Sequence, residues 1–313
     1  MEKPLVSVTV ITYNSSKTVL ETLESIKEQT YQNIELIVSD DCSTDNTVEI
    51  CRNWIEQNKD RFVRTELLTV EKNTGISANC NRAEKACQGE WAKGIAGDDL
   101  LMPDCIQNCL EYVREDDNIV CLFGNIIAFG GKKDYCEWLT RTHRERSIYM
   151  AKLSTEELYK MIFNGDTPPA PAFFYNISKF RKYGIKNDER IPFMEDWPKW
   201  LNILKKGINM HFMDKDIVKY RVGGISTTNE WESPKTYRSK RLFFYLYQFQ
   251  ELYGAIPERV IQIVVNEECS IYQQYYEIQN NFESIRNSKP YMIGKLIIYP
   301  FNKIKRLCKK IIH

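Results

Sequence analysis

Over its first hundred residues the chain alternates between short β-rich apolar runs and segments whose apolar positions recur at helical spacing. "LVSVTVITYN", from Leu5, reads as a buried strand. Val19, Leu20, Leu23 and Ile26 then fall on one face of a helix. "IELIVSDD" is a second strand that ends in Asp40 and Asp41. Thr44 and Asp45 are placed to cap a helix carrying Val48, Cys51, Trp54 and Ile55. "ELLTV" is a third strand, Ser77 is placed to cap a small-residue helix through Cys87, and "WAKGIA" is a fourth strand. Strand and helix in strict alternation predict an α/β fold with a Rossmann-like, mostly parallel central sheet and helices on both faces.

The pattern is more mixed beyond residue 101. Asp104 opens a helix through Val113, and "IVCLFGNIIAF" is strand-like. Ser154 and Glu157 form a capping box before Leu158, Met161 and Ile162. "TPPAPAFFY" is an extended approach to a strand, and "PFMEDWPKWLNILKKG" is a loop turning into a helix with Trp197, Trp200, Leu201 and Leu204 inward. "IVKYRVGGIST" is a strand followed by a loop. From about residue 230 the pattern is helical and aromatic. The expected boundaries are therefore 1–105, 106–228 and 229–313.

Charge narrows the functional classes. Lys and Arg number 43 against 42 for Asp and Glu, so the molecule has no overall basic signature of a nucleic-acid binder. The ten cysteines form no CxxC pair, and three histidines are too few for the usual zinc spacings. Neither a signal-peptide layout nor an apolar run of membrane-spanning length is present. A reduced, cytoplasmic protein with buried thiols is expected.

Parallel sheets bind ligands outside the carboxyl ends of their strands. Here Thr12, Tyr13 and Asn14 follow the first strand and Asp41 the second. Asn73–Gly75 follow the third, and Asp98 and Asp99 the fourth. No GxGxxG follows the first strand, and "GNIIAFGGKK" lacks the spacing of a phosphate-binding loop. A site without a glycine cradle can hold a diphosphate through Mg²⁺ or Mn²⁺, which prefer carboxylate oxygens. Asp98 and Asp99 suit that role, with one carboxylate on the metal and the other on a sugar hydroxyl. Asp41 can accept from a base or ribose, and Tyr13 offers a flat face for a base.

"VSVTVITYN", "IELIVSDDCSTDNT", "NTGISANCNRAEKACQGEW" and "AGDDLLMP" together resemble the glycosyltransferase family 2 enzymes, and "PFMEDWPKWLNI" and "KYRVGGIST" extend the match to about residue 228. The resemblance implies a GT-A fold and inverting transfer of a sugar from a nucleotide donor, usually UDP-linked, to an acceptor hydroxyl with a divalent metal. It makes 1–105 the nucleotide-sugar half and 106–228 the acceptor half of one catalytic domain. It places Thr12, Tyr13, Asn14 and Gly75 at the donor, Asp41 on the uracil, Asp98 on the ribose or sugar, and Asp99 on the metal. Asp196 aligns with the general base and Glu195 with its neighbour. Read without the family, these two acids simply decorate a helix N-terminus. Arg221 fits either the diphosphate or a surface ion pair. Gly224 stands where many members have a histidine, and Cys80 stands where relatives often have an arginine between Asn79 and Asn81.

The tail, about 295–313, sets Lys295, Lys303, Lys305, Arg306, Lys309 and Lys310 opposite Ile304, Leu307, Cys308 and Ile311. It reads as a basic amphipathic helix on an anionic membrane, or as a docked helix with a solvated basic face. The first reading implies a peripheral protein at the inner face of the plasma membrane and a lipid-linked glycan acceptor. Two other functions fit less well. A sugar nucleotidyltransferase would need a basic, glycine-rich loop near the start, where only Lys17 is available, and a silent nucleotide-sugar-binding scaffold would not need Asp98, Asp99 and Asp196.

Overall fold

A computed structural model of the protein describes residues 3–190, 195–223 and Gly254. The tail and the expected extension at 229–313 lie outside the described residues. The elements run β1 (Val6–Thr12), α1 (Val19–Lys27), β2 (Ile34–Asp40), α2 (Thr47–Asn58), β3 (Arg64–Leu68), α3 (Ile76–Ala86), β4 (Trp91–Ala96), β5 (Leu100–Leu101), α4 (Cys105–Val113), β6 (Cys121–Phe129), α5 (Lys133–Met150), α6 (Thr155–Phe163), β7 (Phe173–Asn176), α7 (Ile177–Tyr183), α8 (Asp196–Lys205) and β8 (His211–Arg221).

One sheet of eight strands has the order β3-β2-β1-β4-β7-β6-β8-β5. β1 is parallel to β2 and β4, β2 to β3, and β6 to β8, while β7 and β5 run against their neighbours. Six strands therefore share one direction, and the mostly parallel sheet expected from the sequence is present. Two apolar clusters cover its faces. One gathers Val8, Leu23, Leu36, Ile106 and Leu110 under α1, α2 and α4. The other gathers Ala92, Phe123, Phe173, Trp200 and Leu201 under α3, α6, α7 and α8. Both faces of the central strands are thus removed from water, which explains their near-continuous apolar runs.

Several local readings change. Leu20 is 49% exposed, whereas Val19, Leu23 and Ile26 are buried, so α1 presents a narrower apolar stripe than its sequence offers. Asn46, not Thr44 or Asp45, is the N-cap residue of α2, although the Asp45 carboxylate accepts from the Thr47 N–H at 3.0 Å. Ser77 lies inside α3 and is buried, and Gly75 caps it with φ +88°. Only glycine adopts that conformation at little cost, and its backbone is needed elsewhere, as described below. The Ser154–Glu157 capping box is present as read. Among the described cysteines, six are buried and all are free thiols.

Candidate functional site

The carboxyl ends of β1, β2 and β4 lie side by side because these strands are adjacent and parallel. Thr12 is buried at the end of β1 and donates its hydroxyl to Asp40 at 2.8 Å. Tyr13 follows it, 43% exposed, with its ring available to a ligand. Asn14 has φ +53° and ties this turn to the next loop. Its side-chain carbonyl accepts from the Thr44 N–H at 2.8 Å, and its own N–H donates to Ser43. Cys42, after β2, has φ +67°. A non-glycine side chain in that region costs about 1–2 kcal/mol, and here two such residues flank one site.

Asp41 is buried and fully engaged. Thr74 donates its N–H and hydroxyl, Gly75 donates its N–H at 2.7 Å, and Arg82 approaches at 3.0 Å. Asp41 therefore holds the start of α3 against the end of β2. Arg82 also donates to Ser39 and Asn79, bringing a guanidinium to the site that the motif reading overlooked. The signal was present, since Arg82 lies two residues beyond the Cys80 that occupies the family's arginine position.

Between β4 and β5 the chain passes through Gly97, where a Cβ would meet Thr12 Cγ2 at 2.9 Å. This close approach, with the Gly97 N–H donated to the Ile11 carbonyl at 3.0 Å, fixes the chain before the Asp98–Asp99 pair against the end of β1. Asp99 is 3% exposed, and burial, then the Asp98 charge, push its carboxyl up to about 7 against the Arg221 N–H it accepts at 2.8 Å. Burial also raises Asp98. Arg221 donates its Nε–H to the Asp98 carbonyl, pairs with Glu21 at 2.8 Å and lies 4.5 Å over the Phe129 ring. Its guanidinium thus ties β8 to the Asp98 turn and to α1. Gly224 lies outside the described residues.

The second acid pair sits at the start of α8. Glu195 is the N-cap residue, and Asp196 accepts from the Trp197 N–H at 2.7 Å. Burial and then the Asp196 charge push the Glu195 carboxyl up to about 7, and burial raises Asp196. One turn on, Lys199 is 5% exposed, pairs with Glu84 of α3 at 2.6 Å and lies 4.6 Å over the Tyr175 ring. Tyr175 donates its hydroxyl to the same Glu84 oxygen. Cys80, one turn before Glu84 on α3, has its thiol pushed well up by burial, then by the Glu195 and Glu84 charges. α3 is therefore a strut that starts at Asp41 and reaches the Glu195–Asp196 pair. Cys80, read only as a missing arginine, belongs to that contact.

No cluster of three His, Cys, Asp or Glu side chains fit to hold a metal occurs among the described residues. The Asp98–Asp99 pair nonetheless suits Mg²⁺ or Mn²⁺, which take one or two carboxylates and complete their shell with phosphate oxygens and water.

The Glycosyl transferase family 2 domain matches residues 7–183. The chain belongs to this family. Among its relatives, TuaG of Bacillus subtilis, named for teichuronic acid biosynthesis, is 25% identical over 236 residues, covering 74% of this chain and 85% of TuaG. Chondroitin synthase of Escherichia coli is 32% identical over 137 residues, 41% of this chain but only 19% of that enzyme. Family 2 relatives thus work in bacterial polysaccharide synthesis. The GT-A fold is shared with mannosyltransferase PcManGT from Pyrobaculum calidifontis, solved with GDP-Man and Mn²⁺, at a TM-score of 0.58 and 15% identity over 98% of this chain and 81% of that one. It is also shared with S. aureus TarS 1-349, solved with UDP-GlcNAc, at a TM-score of 0.56 and 19% identity over 85% of this chain and 73% of that one. The family 2 match includes β1, β2, β4 and the Asp98–Asp99 turn, and ends before Glu195.

Proposed function

We propose that this family 2 glycosyltransferase moves a sugar, with inversion, from a nucleoside diphosphate donor, UDP-linked, to a hydroxyl of a glycan or lipid-linked glycan in bacterial surface polysaccharide synthesis. The observation that carries the reading is the juxtaposition of Asp98–Asp99 with the Thr12–Asn14, Asp41 and Gly75 turns at one sheet edge. Tyr13 stacks on the base. Asp41 receives the nucleoside side of the donor through the turn it organises, and Arg82 adds positive charge there. Asp98 and Asp99 would hold Mn²⁺ or Mg²⁺, which would supply Lewis-acid stabilisation of the charge on the departing diphosphate. Asp196, flanked by Glu195, takes the proton of the acceptor hydroxyl as it attacks the anomeric carbon. Such general-base help is worth about 10²–10⁴-fold.

The membrane contact and the location at the inner face rest on the sequence of the basic tail. No helix among the described residues is long and apolar enough to cross a membrane. The test is turnover of UDP-sugars with Mn²⁺, with the product anomer read by NMR. A product that keeps the donor's anomeric configuration, or no nucleotide-sugar turnover with any donor, ends the reading.

A further inference from the structure

An open cleft of about 560 Å³ lies between the end of β6 and the first half of α5. Phe129, Gly130 and Gly131 form one wall, and Lys133, Glu137, Thr140, Arg141 and Arg144 line the other. β6 runs parallel to β8 and in the direction of β4, so the cleft opens at the same sheet edge as the donor residues. Its Phe129 wall is the ring under Arg221, whose guanidinium holds the Asp98 carbonyl. The cleft is thus joined to the Asp98–Asp99 turn by one side chain. In strand order it stands beyond β4 and β7, on the opposite flank from β1, β2 and the nucleoside turns. A ligand there approaches the carboxylates from the side that the nucleotide leaves free.

The charges in the cleft differ in how they are used. Arg144 is held by Asp216 at 2.8 Å and Asp214 at 3.3 Å. Lys133 faces Glu137 at 3.8 Å, and both are well exposed, so that pair is loose. Arg141 is exposed and has no carboxylate partner among the described residues. The lining therefore keeps one positive charge free, with a second weakly held. Thr140 accepts from the Ala128 N–H at 2.9 Å, which leaves its hydroxyl hydrogen available to a sugar. The volume lies within the range of small-molecule sites.

We infer that this cleft is a subsite for the acceptor and takes a saccharide unit bearing an acidic group, a carboxylate or a phosphate, on Arg141 and Lys133. The inference rests on the donor-site reading above, because that reading assigns the nucleotide to the other flank. A charge-assisted hydrogen bond to Arg141 gives the acidic unit an advantage of about tenfold over its neutral counterpart.

The test uses the full chain with UDP and Mn²⁺ present and, in parallel, without them. Methyl glucuronide, glucose 6-phosphate and methyl glucoside are titrated by saturation-transfer NMR. The expected result is that one or both acidic probes bind about tenfold more tightly than methyl glucoside, and that Arg141→Glu abolishes the preference. Which acidic probe wins identifies the carboxylate or the phosphate. Equal binding of all three probes overturns the proposal. So does a preference that survives in Arg141→Glu, or one that UDP with Mn²⁺ displaces. Arg141→Gln, with its melting curve compared with wild type, covers the case in which the charge-reversed variant misfolds. UDP binding is read in the same samples. Its absence would remove the donor reading, while probe preference reports on the cleft by itself.

Discussion

At the scale of single residues, the site is built from side chains that fold-level forces would not choose. Asp99 is buried beside another carboxylate, and among the described residues no ammonium or guanidinium is hydrogen-bonded to its oxygens. A divalent ion relieves that arrangement, so UDP with Mn²⁺ should raise the melting temperature of wild type, and Asp99→Ala should lose most of the metal-dependent part. An equal metal-dependent shift in the variant would remove Asp99 from the metal. Glu195 and Asp196 carry a pH signature. Their carboxyls are raised, so the folded chain keeps protons that the unfolded chain has released. The stability contributed by Glu195 is present below the ordinary carboxylate range and is lost as pH rises through about 7, and that contributed by Asp196 is likewise lost as pH rises above the ordinary carboxylate range. Base catalysis needs the unprotonated form and moves the other way over the same window. Turnover should therefore climb as pH rises above the ordinary carboxylate range while the stability term falls, and Asp196→Asn should lower turnover by about 10²–10⁴-fold and weaken that term without removing it, because burial still raises the Glu195 carboxyl. Cys42, at φ +67°, is a strained position that glycine would relax. Cys42→Gly should raise unfolding free energy by up to about 1 kcal/mol in urea denaturation.

At the scale of elements, α3 joins the Asp41 turn to the start of α8. Its first turn is held by Asp41 and its middle by Lys199 of α8 through Glu84. The Glu84–Lys199 pair is nearly dry, so removing one partner leaves a buried charge alone. Lys199→Met should cost about 3–5 kcal/mol in denaturant unfolding, with partial recovery in Lys199→Met/Glu84→Gln. Additive losses in the double variant would mean that the pair is not coupled. Little of this was legible in the sequence. Glu84 and Lys199 are 115 residues apart along the chain, and each alone reads as a solvated helix charge. Helix α5 was missed as well. Its 18 residues bury only Cys136, Leu139, Ser147 and Met150, so its apolar stripe is too thin to announce a helix. The strands β1 to β4 were legible because burial on both faces leaves little room for any residue but an apolar one.

At the scale of the whole molecule, a GT-A sheet gathers turns from distant parts of the chain at one edge. Gly97 shows how tightly they are packed. Gly97→Ala would drive a Cβ into Thr12 and Ser15. It should cost about 1–3 kcal/mol of stability and weaken UDP binding more than a surface alanine does, which isothermal titration would read. The basic tail provides a second test at this scale. A chain ending near Asn287 should sediment less with anionic vesicles than the full chain, and equal sedimentation removes the tail from membrane binding.

The sequence by itself determined the α/β class, the order of the first four strands and helices, and the family 2 motifs. These follow from local period and from short runs whose chemistry is contained within a few neighbours. Only the tertiary structure decided that β7 inserts antiparallel between β4 and β6, that Arg82 meets Asp41, that Lys199 meets Glu84, and that Arg221 joins Asp98 to the wall of a cleft. Each of these depends on which segments the packed sheet brings together. That is fixed by burial summed over many contacts, and no short stretch of sequence contains it.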